Sequence, residues 1–413
     1  MEKNCVFTIC AKNYLAQALT LRDSVLSKNE NIDFFLFLAD KVTSDVSDLD
    51  LVELDDSWIS NWKSLAYKYN VIEFSTSIKP FCFLSLFQKG YDKVIYLDPD
   101  IYVLDSLDHI YGLLDNKSIV LSPHYCEIQE SGFNGSVSEE TFMADGIFNL
   151  GFTAIKNNVV GNKIAKWWSD RLEGKCYADI YNALFVDQKW MDFIPAFFPN
   201  DVEISHHMGI NVAIWNLHER SLIEKDGKYW IENLVTKELF PLLFFHFSGF
   251  DPFNKSVFNR RHAEYNVDTY PSYRNLINVY ADGLYANNYD KYSALTYDFT
   301  VYDNGEEINE LNQRLYREML SHGDVLPSDN PFSTESKAYA ILNKHGLLTH
   351  NKKKDSFVKK VNAETASKFE NKFLFPLLRV VHFIFGNKIY YQIIKCSRRI
   401  SKYEYHYFLI NKK

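Results

Sequence analysis

Two hydrophobic patterns alternate along the first 125 residues. Residues 5–10 (Cys-Val-Phe-Thr-Ile-Cys) form an unbroken apolar run, which predicts a strand buried on both faces. Asn13 is then placed to cap a helix with Leu15, Ala18, Leu19 and Leu26 along one side. Residues 32–40, apolar from Phe34 to Ala39, end in Asp40. Helical spacing returns around 58–72 and from Lys79 to Gln88, and Lys93-Val-Ile-Tyr-Leu97 closes the series with another apolar run. Strands without polar alternation, separated by helices, predict an α/β fold with a mostly parallel sheet covered on both faces. Such sheets bind ligands beyond the carboxyl ends of their strands. Further strands are expected at 118–123, 146–156 and 242–248, and helices at 160–172, 182–191 and 210–220. From about 255 to 350 the chain is rich in Tyr, Asn and Asp with helical stretches.

Charge changes this picture near the carboxyl terminus. The 413-residue chain has a net charge of −8, but residues 351–413 hold 15 basic and 4 acidic side chains, leaving a tail of +11 on a remainder of −19. The sign changes near Leu348–Lys354, so three parts are expected: 1–255, a helical region 256–350, and a basic, aromatic tail 351–413. Within the tail, the apolar run 373–386 is interrupted by Arg379 and His382 and is too short to span a bilayer. Tyr390, Tyr391, Ile393 and Ile394 interleave with Lys395, Arg398, Arg399 and Lys402. That mixture suits a helix lying on an anionic membrane surface; the alternatives are a basic helix packed on the acidic region or a site for a partner protein. Nothing else in the chain suggests nucleic acid. Six scattered cysteines without a C-x-x-C pair read as reduced core thiols. The amino terminus enters a strand directly, without a signal-peptide pattern. The expected location is the cytoplasm, with peripheral attachment at the inner face of the cell membrane.

The chemistry concentrates at Asp98-Pro99-Asp100, where two carboxylates emerge from the end of a buried strand. A residue before proline favours extended backbone, as suits Asp98 leaving a strand. Hard divalent cations want oxygen ligands, and Mn²⁺ or Mg²⁺ held there would bridge a diphosphate. Asp and Pro are also common in turns, so the motif alone is weak.

The segment from Ile78-Lys79-Pro80-Phe81 through Tyr91-Asp92-Lys93-Val94-Ile95-Tyr96-Leu97-Asp98-Pro99-Asp100-Ile101-Tyr102-Val103 resembles the core of GT-A fold glycosyltransferases, in particular the family of glycogenin and the bacterial lipopolysaccharide galactosyl- and glucosyltransferases. The resemblance implies that Asp98 and Asp100 bind Mn²⁺ and the nucleotide diphosphate, and that Lys79 contacts the donor. It implies a nucleoside site at the first strand–helix turn, with Thr8, Ala11, Asn13 and Tyr14; the family often has an acidic residue where this chain has Ala11 or Lys12. Asp40 is a candidate for ribose or base, against the default reading of a strand-end turn residue. Phe148-Asn149-Leu150-Gly151-Phe152 is similar to the segment beside the donor sugar. Val186-Asp187-Gln188-Lys189-Trp190 is similar to the pair at the reacting sugar. In Leu243-Phe-Phe-His246-Phe-Ser-Gly249-Phe, the resemblance implies a third metal ligand in His246 and a diphosphate contact at Gly249. A phosphate-binding lysine follows in the family; Lys255 stands in for it here at a different spacing.

A further cluster runs from His206-His207 through Asn211 to Trp215. Asn211 and Trp215, four apart, share a face if helical, and an indole beside an amide suits a pyranose acceptor, as would His206 nearby. The paired histidines lack further ligands at zinc spacing. The expected activity is transfer of a sugar from a nucleotide diphosphate-sugar, UDP favoured, to a glycan or lipid-linked acceptor in surface polysaccharide synthesis. The relatives retain anomeric configuration; an inverting reaction would need a carboxylate base, and Asp145 or Asp187 would serve. Three rivals remain. A sugar-phosphate nucleotidyltransferase wants a Gly-rich phosphate loop, absent from Cys10-Ala-Lys-Asn-Tyr14. A non-catalytic glycan-binding or assembly protein on the same fold is open. A metal-dependent hydrolase would want a denser His/Asp cluster.

Overall fold

The computed structural model describes residues 2–131, 133, 137–349 and 367–411. From the amino terminus its elements are β1 (Asn4–Cys10), α1 (Leu15–Lys28), β2 (Asp33–Leu38), α2 (Trp62–Lys68), α3 (Val71–Ser77), α4 (Lys79–Gln88), β3 (Lys93–Leu97), β4 (Ile101–Val103), α5 (Asp108–Asn116), β5 (Ile119–Pro123), α6 (Glu139–Asp145), β6 (Phe148–Lys156) and α7 (Val159–Lys175). Then come β7 (Ala178–Asp179), β8 (Leu184–Phe185), α8 (Ile194–Phe197), β9 (Val202–Ile204), β10 (Arg220–Lys225), β11 (Lys228–Asn233), β12 (Leu239–Pro241) and β13 (Phe244–His246). The remaining helices are α9 (Arg274–Ala286), α10 (Tyr289–Ser293), α11 (Glu310–Ser321), α12 (Lys337–Lys344) and α13 (Phe375–Ile400). The chain forms two compact units, Met1–Trp62 with Val71–Asp298, and Lys63–Asn70 with Phe299–Lys413.

The first unit is the predicted α/β layer structure. Its six-stranded sheet has the order β2-β1-β3-β6-β5-β9. β1 pairs parallel with β2 and β3, and β5 with β9, whereas β6 runs antiparallel to both β3 and β5. β6 is therefore the one reversed strand of this sheet. Val6, Ile95, Leu97, Val120, Phe152 and Ala154 from the sheet pack with Leu21 and Val25 of α1 and Ile110 and Leu114 of α5. The unit runs past residue 255 to Asp298, and α9 and α10 both pack on α1.

Three expectations fail locally. Asn13 does not cap α1: it lies inside a 3₁₀ turn (Lys12–Tyr14), and the N-cap position is Tyr14, with no side-chain cap. Residues 182–191 hold β8, which pairs with β7, and parts of two 3₁₀ turns rather than a helix, with Ala183 and Val186 at positive φ. Residues 210–220 hold only a 3₁₀ turn (Ile214–Asn216), because Asn211 takes φ +54° and breaks the helical path. A hairpin absent from the reading of the sequence, β10–β11, turns on Asp226-Gly227 at φ +53° and +70°. Two positive-φ residues are what a type I′ turn requires.

In the second unit, Tyr67 of α2 is enclosed by Tyr316 of α11, its ring edge-on at 4.7 Å, and by a 2.5 Å hydroxyl contact with Tyr302. Asn309 caps α11 by accepting from Asn312 N–H. The 3₁₀ segment Tyr403–Leu409 returns to α11 through Arg317–Glu404 at 3.2 Å and a 3.9 Å stack of His322 on Tyr407. Between them stands α13, whose helical run Ser367–Ile400 is long and apolar enough to cross a membrane by length and composition. It is thus longer than the apolar run 373–386. Gly386, at φ 70° and ψ 176°, breaks it into two arms. The tail's first residues, including the charge boundary from 350 onward, lie outside the described residues. All six cysteines are free; Cys5, Cys10, Cys82 and Cys176 are buried, whereas Cys396 is exposed.

Candidate active site

The site forms where β3 leaves the middle of the sheet. β3 is buried throughout, and its exit is a tight turn: Asp98 N–H donates to Gly151 O at 2.7 Å and Ile101 N–H to Asp98 O at 3.0 Å. β4 then pairs antiparallel with β13, setting His246 opposite Ile101, and Phe247 N–H donates to Asp100 O at 2.8 Å. That ladder brings Asp98, Asp100 and His246 together, with one candidate ligand atom from each within 4.8 Å of the others. His246 Nε2 lies 3.1 Å from Asp100 and 3.7 Å from Asp98. Burial alone disfavours an imidazolium, yet the Asp100 and Asp98 carboxylates outweigh it and raise the His246 pKa. The pocket therefore attracts positive charge. Two carboxylates and an imidazole make a donor set that fits Mn²⁺ or Mg²⁺.

Behind the carboxylates lies a buried ion pair. Lys79, at the first turn of α4, reaches Asp187 at 2.5 Å and donates to Leu150 O at 2.7 Å. Its ammonium sits 4.1 Å from the ring centre of Tyr96, whose hydroxyl donates to Asp98 at 2.5 Å. Burial raises the Asp187 pKa, with Lys79 opposing. Val186 precedes Asp187 at φ +40°. A β-branched residue there is strained, and the strain accompanies the inward turn of the carboxylate. Gln188 takes Leu150 N–H at 3.2 Å and donates to Asp145 O at 3.0 Å, so its amide joins α6 to β6. Asp145 is half-buried at the end of α6, and burial raises its pKa.

Asn149 and Gly151, at the start of the reversed strand β6, lie beside His246. A Cβ on Gly151 would come within 2.4 Å of the His246 ring, so the close approach this glycine permits is that of the imidazole. Asn211 and Trp215 also flank His246: Asn211 Oδ1 is 3.3 Å from its Nδ1, and the Trp215 ring is edge-on at 5.2 Å. They reach it from a loop and a 3₁₀ turn, not from one helical face. His206 is apart from this group, exposed, and bonded to Ile204 O at 3.0 Å.

The first strand–helix turn is partly at the site. Tyr14 feels the charge of Asp100, which adds to burial in raising its pKa, while Arg260 and Arg261 oppose. Asn13 is half-buried, and Thr8 and Ala11 are buried. Asp40 directs its carboxylate to the backbone N–H groups of Lys12, Lys41 and Asp298, as a strand-end turn residue does. Gly249 has φ +71°, and Asn259 staples its loop by donating to Ser248 O. Lys255 is occupied with Asp282 at 2.9 Å. The cations whose charge reaches Tyr14 are instead Arg260 and Arg261. The sequence reading missed these arginines, as well as Tyr96 and His124. Tyr96 was legible, since alternate residues of a strand share a face and Asp98 follows it by two; nothing local marks His124.

Residues 5–173 match the model of glycosyl transferase family 8. The uncharacterized protein YfnF of Bacillus subtilis (strain 168) is 24% identical over 251 residues, 59% of this chain and 80% of YfnF. YfnD of the same strain is 24% identical over 191 residues, 45% of this chain and 57% of YfnD. Among solved structures, the galactosyltransferase LgtC in complex with donor and acceptor sugar analogs superposes with a TM-score of 0.40 at 15% identity, over 67% of this chain and 95% of LgtC. GlyE of Streptococcus pneumoniae TIGR4, a glycosyltransferase, gives 0.38 at 16%, over 76% and 72%. Over residues 5–173, from β1 into α7 and including Lys79, Asp98, Asp100, Asn149 and Gly151, the chain resembles glycosyl transferase family 8, and it is a glycosyltransferase.

Proposed function

We propose that the protein transfers a sugar from a nucleotide diphosphate-sugar, UDP favoured, to a glycan or lipid-linked glycan in surface polysaccharide synthesis, using Mn²⁺ or Mg²⁺. The observation that carries this is the convergence of Asp98, Asp100 and a buried His246 at the rim of the sheet. When bound, the cation would act as a Lewis acid on the departing diphosphate. Arg260, exposed and backbone-bonded to Gly249 O, is suited to the phosphates in place of Lys255. Asp187 is buried against Lys79, which disfavours it as a general base. The test is a panel of nucleotide-sugars with Mn²⁺, read as thermal shift and as hydrolysis. A donor at a hundredfold its Kd should stabilise the protein by about 2.7 kcal/mol. If no member of the panel shifts melting or is hydrolysed, the reading is wrong.

The tail supports a place at the inner face of the cell membrane. Phe375, Leu377, Val380, Phe383, Ile384 and Phe385 are exposed on the first arm of α13, and Lys395, Arg398 and Arg399 lie on the second. At about 1.5 Å per residue, the arm before Gly386, from Ser367, is about 28 Å long and the arm after it about 21 Å, each below the roughly 30 Å hydrocarbon core. A bent helix of this kind suits a bilayer surface better than a crossing. Full-length protein should sediment with vesicles containing anionic lipid, and a Phe383→Asp/Phe385→Asp variant should lose most of that binding. Equal sedimentation of the variant and the native protein would refute the attachment.

A further inference from the structure

A chain of side-chain amides and imidazoles runs from the backbone of β6 to His246, and its hydrogen-bond direction is fixed at both ends. Gly151 N–H can only donate, and it donates to Asn149 Oδ1 at 3.1 Å. Asn149 Nδ2 therefore faces His124 Nε2 at 3.3 Å, and that nitrogen accepts. The other His124 nitrogen, Nδ1, is 2.9 Å from Ile147 O, which can only accept, so Nδ1 carries the hydrogen. Both ends thus require the same orientation of Asn149. In the other direction, Asn149 Oδ1 also accepts from Asn211 Nδ2 at 3.0 Å. This turns Asn211 Oδ1 toward His246 Nδ1 at 3.3 Å. An oxygen there requires a hydrogen on Nδ1, which leaves Nε2 facing Asp98 and Asp100, holding a proton in the metal-free site and offering its lone pair when a cation displaces that proton.

The surroundings hold this arrangement. Asn211 is fully buried at φ +54°, a conformation that Asn tolerates, and its carbonyl accepts from Asn216 Nδ2 at 3.0 Å. His124 is stacked on Phe142 at 3.9 Å and meets Trp215 edge-on at 5.7 Å. Gly151 leaves no space for the His246 ring to shift toward β6.

We infer that Asn211 and His124 are positioning residues that, through Asn149, lock His246 as the Nδ1–H tautomer and present Nε2 to a divalent cation. The inference rests on the proposal that the site takes such a cation. Partners of this kind typically change metal affinity by about 10- to 100-fold.

The experiment uses full-length protein with UDP and titrates Mn²⁺, reading the free ion by electron paramagnetic resonance, alongside melting of the metal-free protein. Asn211→Gly accepts the positive φ but removes the oxygen, and His124→Phe keeps the stack but removes the acceptor. Both should raise the Mn²⁺ Kd by about 10- to 100-fold. His124→Gln, which retains an acceptor for the Asn149 amide, should stay within about threefold of native. Native-like affinity in Asn211→Gly and His124→Phe, with binding lost in Asp98→Ala, would overturn the positioning role and leave the cation site standing. Equal losses in His124→Gln and His124→Phe would also overturn it. Absence of saturable Mn²⁺ uptake by the native protein would instead overturn the cation proposal beneath it. A check that needs no variant to fold is the ¹⁵N spectrum of histidine-labelled native protein: hydrogen on Nδ1 of His124 is expected, and hydrogen on Nε2 would refute the chain.

Discussion

Replacing Asp98 or Asp100 with Ala is expected to lower turnover about a thousandfold, while the metal-free protein keeps near-native stability in Asp100→Ala and loses some in Asp98→Ala, where the buried Tyr96 hydroxyl is left without its acceptor. A cation at a departing diphosphate supplies several kcal/mol of charge stabilisation, and about 1.4 kcal/mol corresponds to each decade of rate. Stability behaves differently because the two carboxylates face one imidazole within 4.8 Å. Removing one relieves like-charge repulsion and leaves His246 a partner. Asp98 also accepts from the Tyr96 hydroxyl, so Asp98→Asn, which keeps an acceptor there, separates the loss of charge from the loss of that bond. Turnover with each donor and melting without metal are the two measurements. Full activity in both Ala variants would remove the metal assignment.

Lys79→Met is expected to produce the largest loss of stability. The ammonium is almost wholly buried, 2.5 Å from Asp187, and also holds Leu150 O. Removing one member of such a pair strands the other without compensation, at a cost of about 3–5 kcal/mol. That is a large part of a total stability of about 5–15 kcal/mol, and it corresponds to a fall in melting temperature of about 10 °C for a unit of this size. The double variant Lys79→Met/Asp187→Leu, which replaces both charges with apolar groups, should recover most of the stability but not the activity. If Lys79→Met melted at the native temperature, the pair would not hold this region together.

Parts of this site were legible for physical reasons that can be named. β1 and β3 are buried on both faces, and β2 over its last three residues, so their apolar runs stand out, and Asp98 and Asp100 mark where the last of these leaves the core. His246 was visible as an imidazole closing another apolar run. Asn211 and Trp215 pointed to the right neighbourhood through the wrong geometry. Their four-residue spacing suggested a helix, but a positive φ at Asn211 and the bond from Asn216 Nδ2 to its carbonyl turn the chain there. The β10–β11 hairpin was legible in Asp226-Gly227 and was overlooked. His124 carries no local signal, since its meaning comes from Asn149 and Asn211, 25 and 87 positions further along.

The reversed course of β6 has a consequence for how the chain matures. β6 lies between β3 and β5, and in the completed sheet its amino-terminal end meets a turn more than 50 residues upstream and a histidine nearly 100 residues downstream. No early, locally ordered fragment contains the complete ligand set. Contacts of such sequence separation form slowly, and an ion captured by this set would report completed assembly of the whole sheet. Its binding would thus be linked to global rather than local unfolding.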